Sequence, residues 1–373
     1  MADEVADWLV LVHDAYPPAH AAEWDRVGLQ VGDPEWPVER VVLTLDVTSA
    51  VIAEAAQVAG TLVLAHYPLF LRPLERLTSA TAPGRVALAA ARAGVAVVAT
   101  HTNLDVATDG SGTSDPVMDV LEVEDAVPLT SQTREAEQVK LVTFVPAEQV
   151  DAVLDALAAA GAGTIGDYDR CSFRAPGTGT FRPRPGSRPF SGSVGRDNAE
   201  PEDRLEVVVP RSRLGEVVRA LRRAHPYEEV AYDLYPLLTG SDHGFGRVGT
   251  LPQPVPLRAL AARLREGLPA PHLRYAGLPD RTVRRVAAVG GAGDSLIGAA
   301  LAARADVYVT GDLRHHVVLD ALEMGLAVVD AGHHATEWPA LGPWLERLTD
   351  LARARGLTAQ LLRSPVSTVP WTG

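Results

Sequence analysis

Apolar residues in the first and last thirds of the chain form short, nearly unbroken runs, separated by Ala- and Leu-rich stretches of helical period. Parallel strands buried on both faces and joined by crossover helices read this way. The first third holds RVVLTLDVT (40–48), TLVLAHYPLF (61–70) and VAVVATHTNLD (95–105), with helices expected around 49–59 and 84–94. The last third holds VRRVAAVGG (283–291), ADVYVTGD (305–312) and GLAVVDAGHH (325–334), with helices expected near 294–304 and 315–324. Both ends therefore predict α/β structure.

The middle follows another pattern. VKLVTFVP (139–146) leads into the helical stretch AEQVDAVLDALAAAG and then into GTGTFRPRPGSRPFSGSVG (177–195), which is rich in Gly, Pro and Arg. RLEVVVP (204–210), the helical SRLGEVVRALRRAH and EEVAYDLYPL (228–237) come next. Two strand–helix–strand units in tandem predict an inserted α+β lobe of the ferredoxin-like (PII-like) kind over 131–244. Residues 1–130 and 245–373 are then the two halves of one discontinuous α/β domain. PLTSQTREAEQ (128–138) and LTGSDHGFG (238–246) are the expected linkers.

Each outer run turns polar at its end: Asp46, His66, His101 with Asp105, Asp312, and Asp330 with His333. The carboxyl ends of strands in an open parallel sheet are where ligands bind. A single such residue more often caps a helix or bonds a loop amide, but five runs ending this way point to a shared site. In DAGHHATEWP, His333 and Glu337 are four apart, so a helix starting there turns both toward one place. His66, Asp105, His333 and Glu337 make two imidazoles and two carboxylates, a set suited to zinc, iron or manganese.

Composition narrows the chemistry. The chain has 373 residues, 47% of them hydrophobic, enough for two or three cores. One cysteine, Cys171, excludes an internal disulfide and a thiolate zinc site, leaving His and carboxylates for any metal. A net charge of −13 argues against general binding of duplex nucleic acid. No uninterrupted apolar run reaches bilayer length, and Asp and Glu stand near the N-terminus where a secretory signal has Lys or Arg. The expectation is a cytoplasmic protein that uses no membrane.

LAHYPLF, ATHTNLD, VYVTGDLRHH and VDAGHHATE occur in that order around an insert ending in AHPYEEVAYDLYPL. Together with EWDRVGLQVGDP (23–34) and CSFRAPGTGTFRP (171–183), they make nearly the whole chain resemble the Nif-three-like dinuclear-metal proteins, the GTP cyclohydrolase 1 type 2 homologues. The resemblance implies a toroidal homohexamer with two divalent ions per subunit facing an internal cavity. It places the metal ligands on His66, Asp105, His333 and Glu337. One family ligand is replaced: the second of two consecutive histidines is Tyr67 here, and a neutral phenol is a weaker donor than imidazole.

His101 and His334 are candidates for compensating ligands or, more simply, for hydrogen bonding to a ligand carboxylate, and Asp46 for orienting a ligand or water. Asp312 and His316 read as pocket residues. The Gly-rich VGGAGDSLIGAALAA (289–303) suits either a phosphate cradle or a tight strand-to-helix turn. HPYEE, between helix and strand of the insert, reads as structural.

Two functional classes follow. One is a metal-dependent hydrolase of a nucleotide or another phosphorylated small molecule, in which paired metals lower the pKa of a bridging water. The other is a non-enzymatic hexameric metal-binding or regulatory scaffold. No nucleophilic serine elbow, dinucleotide fingerprint or P-loop offers other chemistry. Limited proteolysis is expected to cut first within 128–138 or 238–246, and cleavage mainly inside 283–334 contradicts the discontinuous arrangement.

Overall fold

A computed structural model describes residues 3–131, 134–239 and 243–371. It is a mixed α/β chain that divides into two compact units, Met1–Gln132 with Asp242–Gly373, and Thr133–Ser241.

The first unit contains two main sheets. One has five strands in the order Gln360–Arg363, Arg40–Thr44, Thr61–Ala65, Ala96–Ala99, Gly28–Val31. Its first four strands are parallel, and Gly28–Val31 runs antiparallel along the edge. The other sheet has six strands in the order Arg274–Ala276, Ala327–Asp330, Val307–Gly311, Thr282–Ala292, Arg247–Pro256, Glu124–Pro128. Its three central strands, Thr282–Ala292, Val307–Gly311 and Ala327–Asp330, are parallel.

The apolar runs form strands because β-branched and small residues fill both faces: all five positions of Thr61–Ala65 and of Val307–Gly311 are buried. Helices cover each side. Val5–Ala15 and Leu341–Arg355 pack one face of the five-stranded sheet through Trp8, Leu11, Trp344 and Leu348. Ser49–Ala55 and Ala82–Ala93 cover the other. Leu257–Gly267 covers one face of the six-stranded sheet, and Ile297–Ala302 with His315–Glu323 covers the opposite face.

The halves of the sequence exchange strands. Glu124–Pro128, from the first half, is an edge strand of the six-stranded sheet, and Gln360–Arg363, from the second, is an edge strand of the five-stranded sheet. Apolar runs show that strands exist but not which sheet each joins, so this exchange was not legible in the pattern.

Helix ends follow local chemistry. The expected helix 49–59 is Ser49–Ala55, capped by Thr48 Oγ1 accepting from Val51 N at 3.2 Å. The one expected at 84–94 is Ala82–Ala93, capped by Thr81 and stopped by Gly94 at φ 66. The one expected near 294–304 shrinks to a 3₁₀ turn and Ile297–Ala302.

In the second unit the order is strand, helix, strand, strand, helix, strand: Arg134–Val145, Val150–Ala159, Ser172–Phe181, Asn198–Pro210, Leu214–Ala224, Tyr232–Thr239. The four strands form an antiparallel sheet in which Arg134–Val145 and Asn198–Pro210 are central and Ser172–Phe181 is an edge. Both helices pack one face through Val153, Leu157, Val217 and Leu221. The Gly- and Pro-rich stretch begins inside a strand, Ser172–Phe181, because an edge strand tolerates Pro176 and the two glycines. The expected linkers are also partly strand, at Arg134 onward and up to Thr239, while residues 132–133 and 240–242 lie outside the described residues. Among the described residues no helix is long and apolar enough to cross a membrane.

Trp8 and Trp344, from opposite ends of the chain, are fully buried in one cluster. Trp344→Ala is expected to lower unfolding stability by about 3–5 kcal/mol, read as a shift of the urea midpoint.

Candidate metal centre

The polar residues at the strand ends converge where the carboxyl edges of both parallel sets open. The ladder of the five-stranded sheet continues past Ala65, with His66 N donating to Thr44 O at 3.0 Å and Tyr67 N to Leu45 O at 2.8 Å. This fixes both side chains on rigid backbone. His101 precedes the short helix Thr102–Asp105, which turns Asp105 back toward His66. On the other side, Gly332 at φ 90 lets the chain turn sharply into the helix His333–Glu337.

His66 is buried, and its Nδ1 lies 3.1 Å from Thr100 O. A carbonyl only accepts, so Nδ1 carries the proton and Nε2 presents a lone pair. That Nε2 lies 3.5 Å from Asp105 Oδ1 and 3.8 Å from Glu337 Oε1, and no hydrogen-bond donor reaches it. Burial holds the imidazole down at about 4, with Asp105 pulling the other way. Near neutral pH three acceptor atoms therefore face one another. Glu337 is 2% exposed, and burial, then the Asp105 charge, push its carboxyl well above the ordinary range. Its Oε2 also lacks a hydrogen-bond donor.

The second half of the cluster centres on His333. Asp312 Oδ2 accepts from His333 Nδ1 at 2.7 Å, which turns Nε2 inward, and that Nε2 is 3.5 Å from Glu337 Oε2. Asp312 holds φ 56, an uncommon backbone state for a residue other than glycine. Tyr67 faces the site: its hydroxyl lies 2.5 Å from His333 Nε2 and 2.7 Å from Glu337 Oε1. Burial, then the carboxylates of Glu337 and Asp105, hold this phenol well above its usual range.

His66, His101 and Asp105 form a group whose donor atoms all lie within 4.8 Å of one another, so they could hold one metal ion. His101 is thus closer to the donor set than its reading as a hydrogen-bonding neighbour suggested. Its Nδ1 bonds Asp25 Oδ1 at 2.9 Å. Burial raises the Asp25 pKa, but hydrogen bonds from His101 and Thr102 outweigh burial and keep it well below the ordinary range.

Other predicted residues fall around this core. His334 stacks on Trp338 at 5.0 Å, its Nε2 buried with no hydrogen-bond partner, and burial lowers its pKa. Asp46 acts at a distance, its charge favouring the protonated forms of His66, Tyr67 and Glu337. His316 is exposed beside His315 and is not hydrogen-bonded into the cluster.

Several contributors were not singled out. Asp25 lies in EWDRVGLQVGDP and Thr100 directly before His101. Thr113 donates to Asp105 Oδ1 at 2.5 Å. Gly291, at φ 68, has to be bare because a Cβ there would meet Glu337 Oε1 at 2.2 Å and His333 Nε2 at 3.2 Å. Gly291 thus leaves room for Glu337 and His333. The following 3₁₀ turn begins at Asp294, whose carboxylate pairs with Arg314 Nη2 at 2.5 Å.

The whole chain has relatives. It is 40% identical over 378 residues to the GTP cyclohydrolase 1 type 2 homolog of Mycobacterium tuberculosis, covering 100% of this chain and 97% of that one. It is 40% identical over 357 residues to the Bacillus subtilis protein of the same name, covering 95% of each. Among solved structures, a Bacillus cereus protein related to NIF3 matches with TM-score 0.71 at 34% identity over 100% of both chains. A Staphylococcus aureus protein shares the fold at TM-score 0.82 and 24% identity, covering 100% of this chain and 99% of that one. A profile of one family matches residues 4–370. The chain belongs to the Duf34/NIF3 (NGG1p interacting factor 3) family.

Proposed function

We propose that the protein binds divalent metal through His66, Asp105, His333 and Glu337 and hydrolyses a nucleotide or another phosphorylated small molecule. The carrying observation is the partnerless, unprotonated His66 Nε2 buried against the carboxylates of Asp105 and Glu337. Imidazole and carboxylate donors favour zinc, iron or manganese. Thr100 O sets the His66 tautomer, Asp312 aims His333 and Thr113 holds Asp105, the supporting contacts such donors need. When bound, a divalent ion supplies Lewis acidity at an ester or purine-ring oxygen and makes water nucleophilic near neutral pH.

The donors fit two ions per subunit unequally. Toward His66 and Asp105, His66 Nε2 stands open with no donor, and His101 lies alongside. Toward His333, the Tyr67 hydroxyl holds both His333 Nε2 and Glu337 Oε1, so a second ion has to displace or recruit the phenol. That same closure favours the alternative, a non-enzymatic hexameric metal-binding or regulatory scaffold.

The wider proposal has a cytoplasmic homohexamer acting on a small phosphorylated ligand, not on membrane or duplex nucleic acid. The inserted unit is ferredoxin-like (PII-like), in keeping with its strand order and its helices on one face. The hexamer rests on the family resemblance.

Metal analysis of protein dialysed against a mild chelator is expected to find one ion kept per chain and the second lost. Tyr67→His then raises the retained metal toward two, and Glu337→Ala removes both the metal and turnover across a phosphoester and nucleotide panel. Two tightly held ions in the unmodified protein end the unequal-site proposal. Full metal retention by Glu337→Ala ends the ligand assignment, and no turnover by metal-loaded protein supports the scaffold. Light scattering at micromolar concentration is expected to give a hexamer mass, and a monomer mass refutes the assembly.

A further inference from the structure

The inserted unit contains a cavity of about 750 Å³ that belongs to none of the chemistry above. This lies within the roughly 300–1,000 Å³ range of small-molecule sites. Two stretches with no role at the metal centre, APGTGTF (175–181) and YEE (227–229), meet around it.

Strand periodicity makes the space. Ala175, Gly177 and Gly179 pair with Arg204, Glu202 and Glu200 and share the sheet face opposite the two helices. A small residue at every second position leaves that face bare. Phe144 pairs with Arg204 from the other side and lies on the same face. Phe181 closes one end of the strand, and Phe190 reaches over from the loop after it, 6.0 Å from the Tyr227 ring.

The polar groups are unbalanced. Glu202 is 8% exposed, and its carboxylate passes so close to Gly179 that a Cβ there would meet Oε2 at 2.1 Å. The Tyr227 hydroxyl donates to Glu202 Oε1 at 2.6 Å, and no cation pairs with this carboxylate among the described residues. The neighbouring His225 accepts from Tyr227 N at Nδ1 and so donates from Nε2 to Phe144 O at 3.0 Å, which makes it the neutral tautomer. Glu228 and Glu229 add two carboxylates to the lining. The two lining arginines are already committed, Arg204 to Glu206 at 2.8 Å and Arg182 to Asp197 at 2.5 Å. What remains uncompensated is negative charge beside aromatic faces.

We propose that this cavity binds an organic ammonium ligand, its charge on Glu202 and its apolar body against Phe144, Phe181, Phe190 and Tyr227. Burying Glu202 is costly unless a cation joins it, and ring faces attract ammonium groups. The two arginines make an anion the competing occupant.

The test uses the full chain and two matched probes, phenethylammonium and its anionic counterpart phenylacetate, by calorimetry and saturation-transfer NMR. Phenethylammonium is expected to bind, with phenylacetate weaker by about tenfold or more, as loss of a charge-assisted hydrogen bond implies. Glu202→Gln should lower ammonium affinity by about the same factor while metal content stays unchanged and the melting temperature does not fall. Gly177→Leu should abolish binding, because a Cβ at this glycine has only an ordinary contact, 3.8 Å from Glu202 O, and the side chain fills the cavity. Equal or tighter binding of phenylacetate, no binding of either probe, or an unchanged affinity in Glu202→Gln overturns the proposal. If Gly177→Leu does not fold, Glu202→Gln alone decides.

Discussion

The first unit is organised around acceptors that face acceptors. His66 Nε2, Asp105 Oδ1 and Glu337 Oε1 come from three segments, and the two oxygens are held 3.5 and 3.8 Å from that nitrogen. Burying a carboxylate without a partner costs on the order of several kcal/mol, and Glu337 is 2% exposed. The fold tolerates this because each donor is fixed from behind: His66 by Thr100, Asp105 by Thr113, His333 by Asp312. Either a proton on Glu337 or a cation among the three relieves the repulsion. Only a cation also satisfies His66 Nε2, which burial keeps unprotonated.

Holding those segments together falls to the exchanged strands. Had each half of the sequence closed its own sheet, the two carboxyl edges could slide apart. Instead Gln360–Arg363 extends the five-stranded sheet of the first half, and Glu124–Pro128 extends the six-stranded sheet of the second. Trp8 and Trp344 pack into one core between the ends of the chain. The uncommon backbone state at Asp312 is tolerated on such a frame, where surrounding structure over-determines it.

Sequence pattern carried much of this and failed for identifiable reasons. Apolar runs ending in His or Asp located the strands and the polar edge, because parallel strands are buried throughout and expose chemistry at their carboxyl ends. The spacing of His333 and Glu337 anticipated a helix starting there, and His333–Glu337 is that helix. Asp25 was missed because its role depends on a hydrogen bond across 76 positions to His101, which no local pattern encodes. Gly291 was read within a run suited to a phosphate cradle or a tight turn, and neither reading anticipates that its missing Cβ is what the neighbouring carboxylate requires. The strand Ser172–Phe181 was implied by the tandem units but had no legible bounds, because glycine and proline break the apolar alternation and are tolerated only at an edge.

Tyr67 shows most clearly how one substitution reshapes a site without disturbing the fold. Its backbone sits in the same ladder as His66, so a histidine at this position would start from the same place. A phenol brings one proton to two acceptors, His333 Nε2 at 2.5 Å and Glu337 Oε1 at 2.7 Å. It can donate to only one, so the other contact needs a second proton, on Glu337 or on His333. Burial and the Asp105 charge favour that proton on Glu337, while the Tyr67 hydroxyl donating to Oε1 favours the carboxylate. An imidazole at the same position would instead present a lone pair there and add an acceptor to those already facing inward. The tyrosine therefore lowers the repulsion around His333 and Glu337 Oε1 that a cation would otherwise relieve, but brings no donor to His66 Nε2, which still has none.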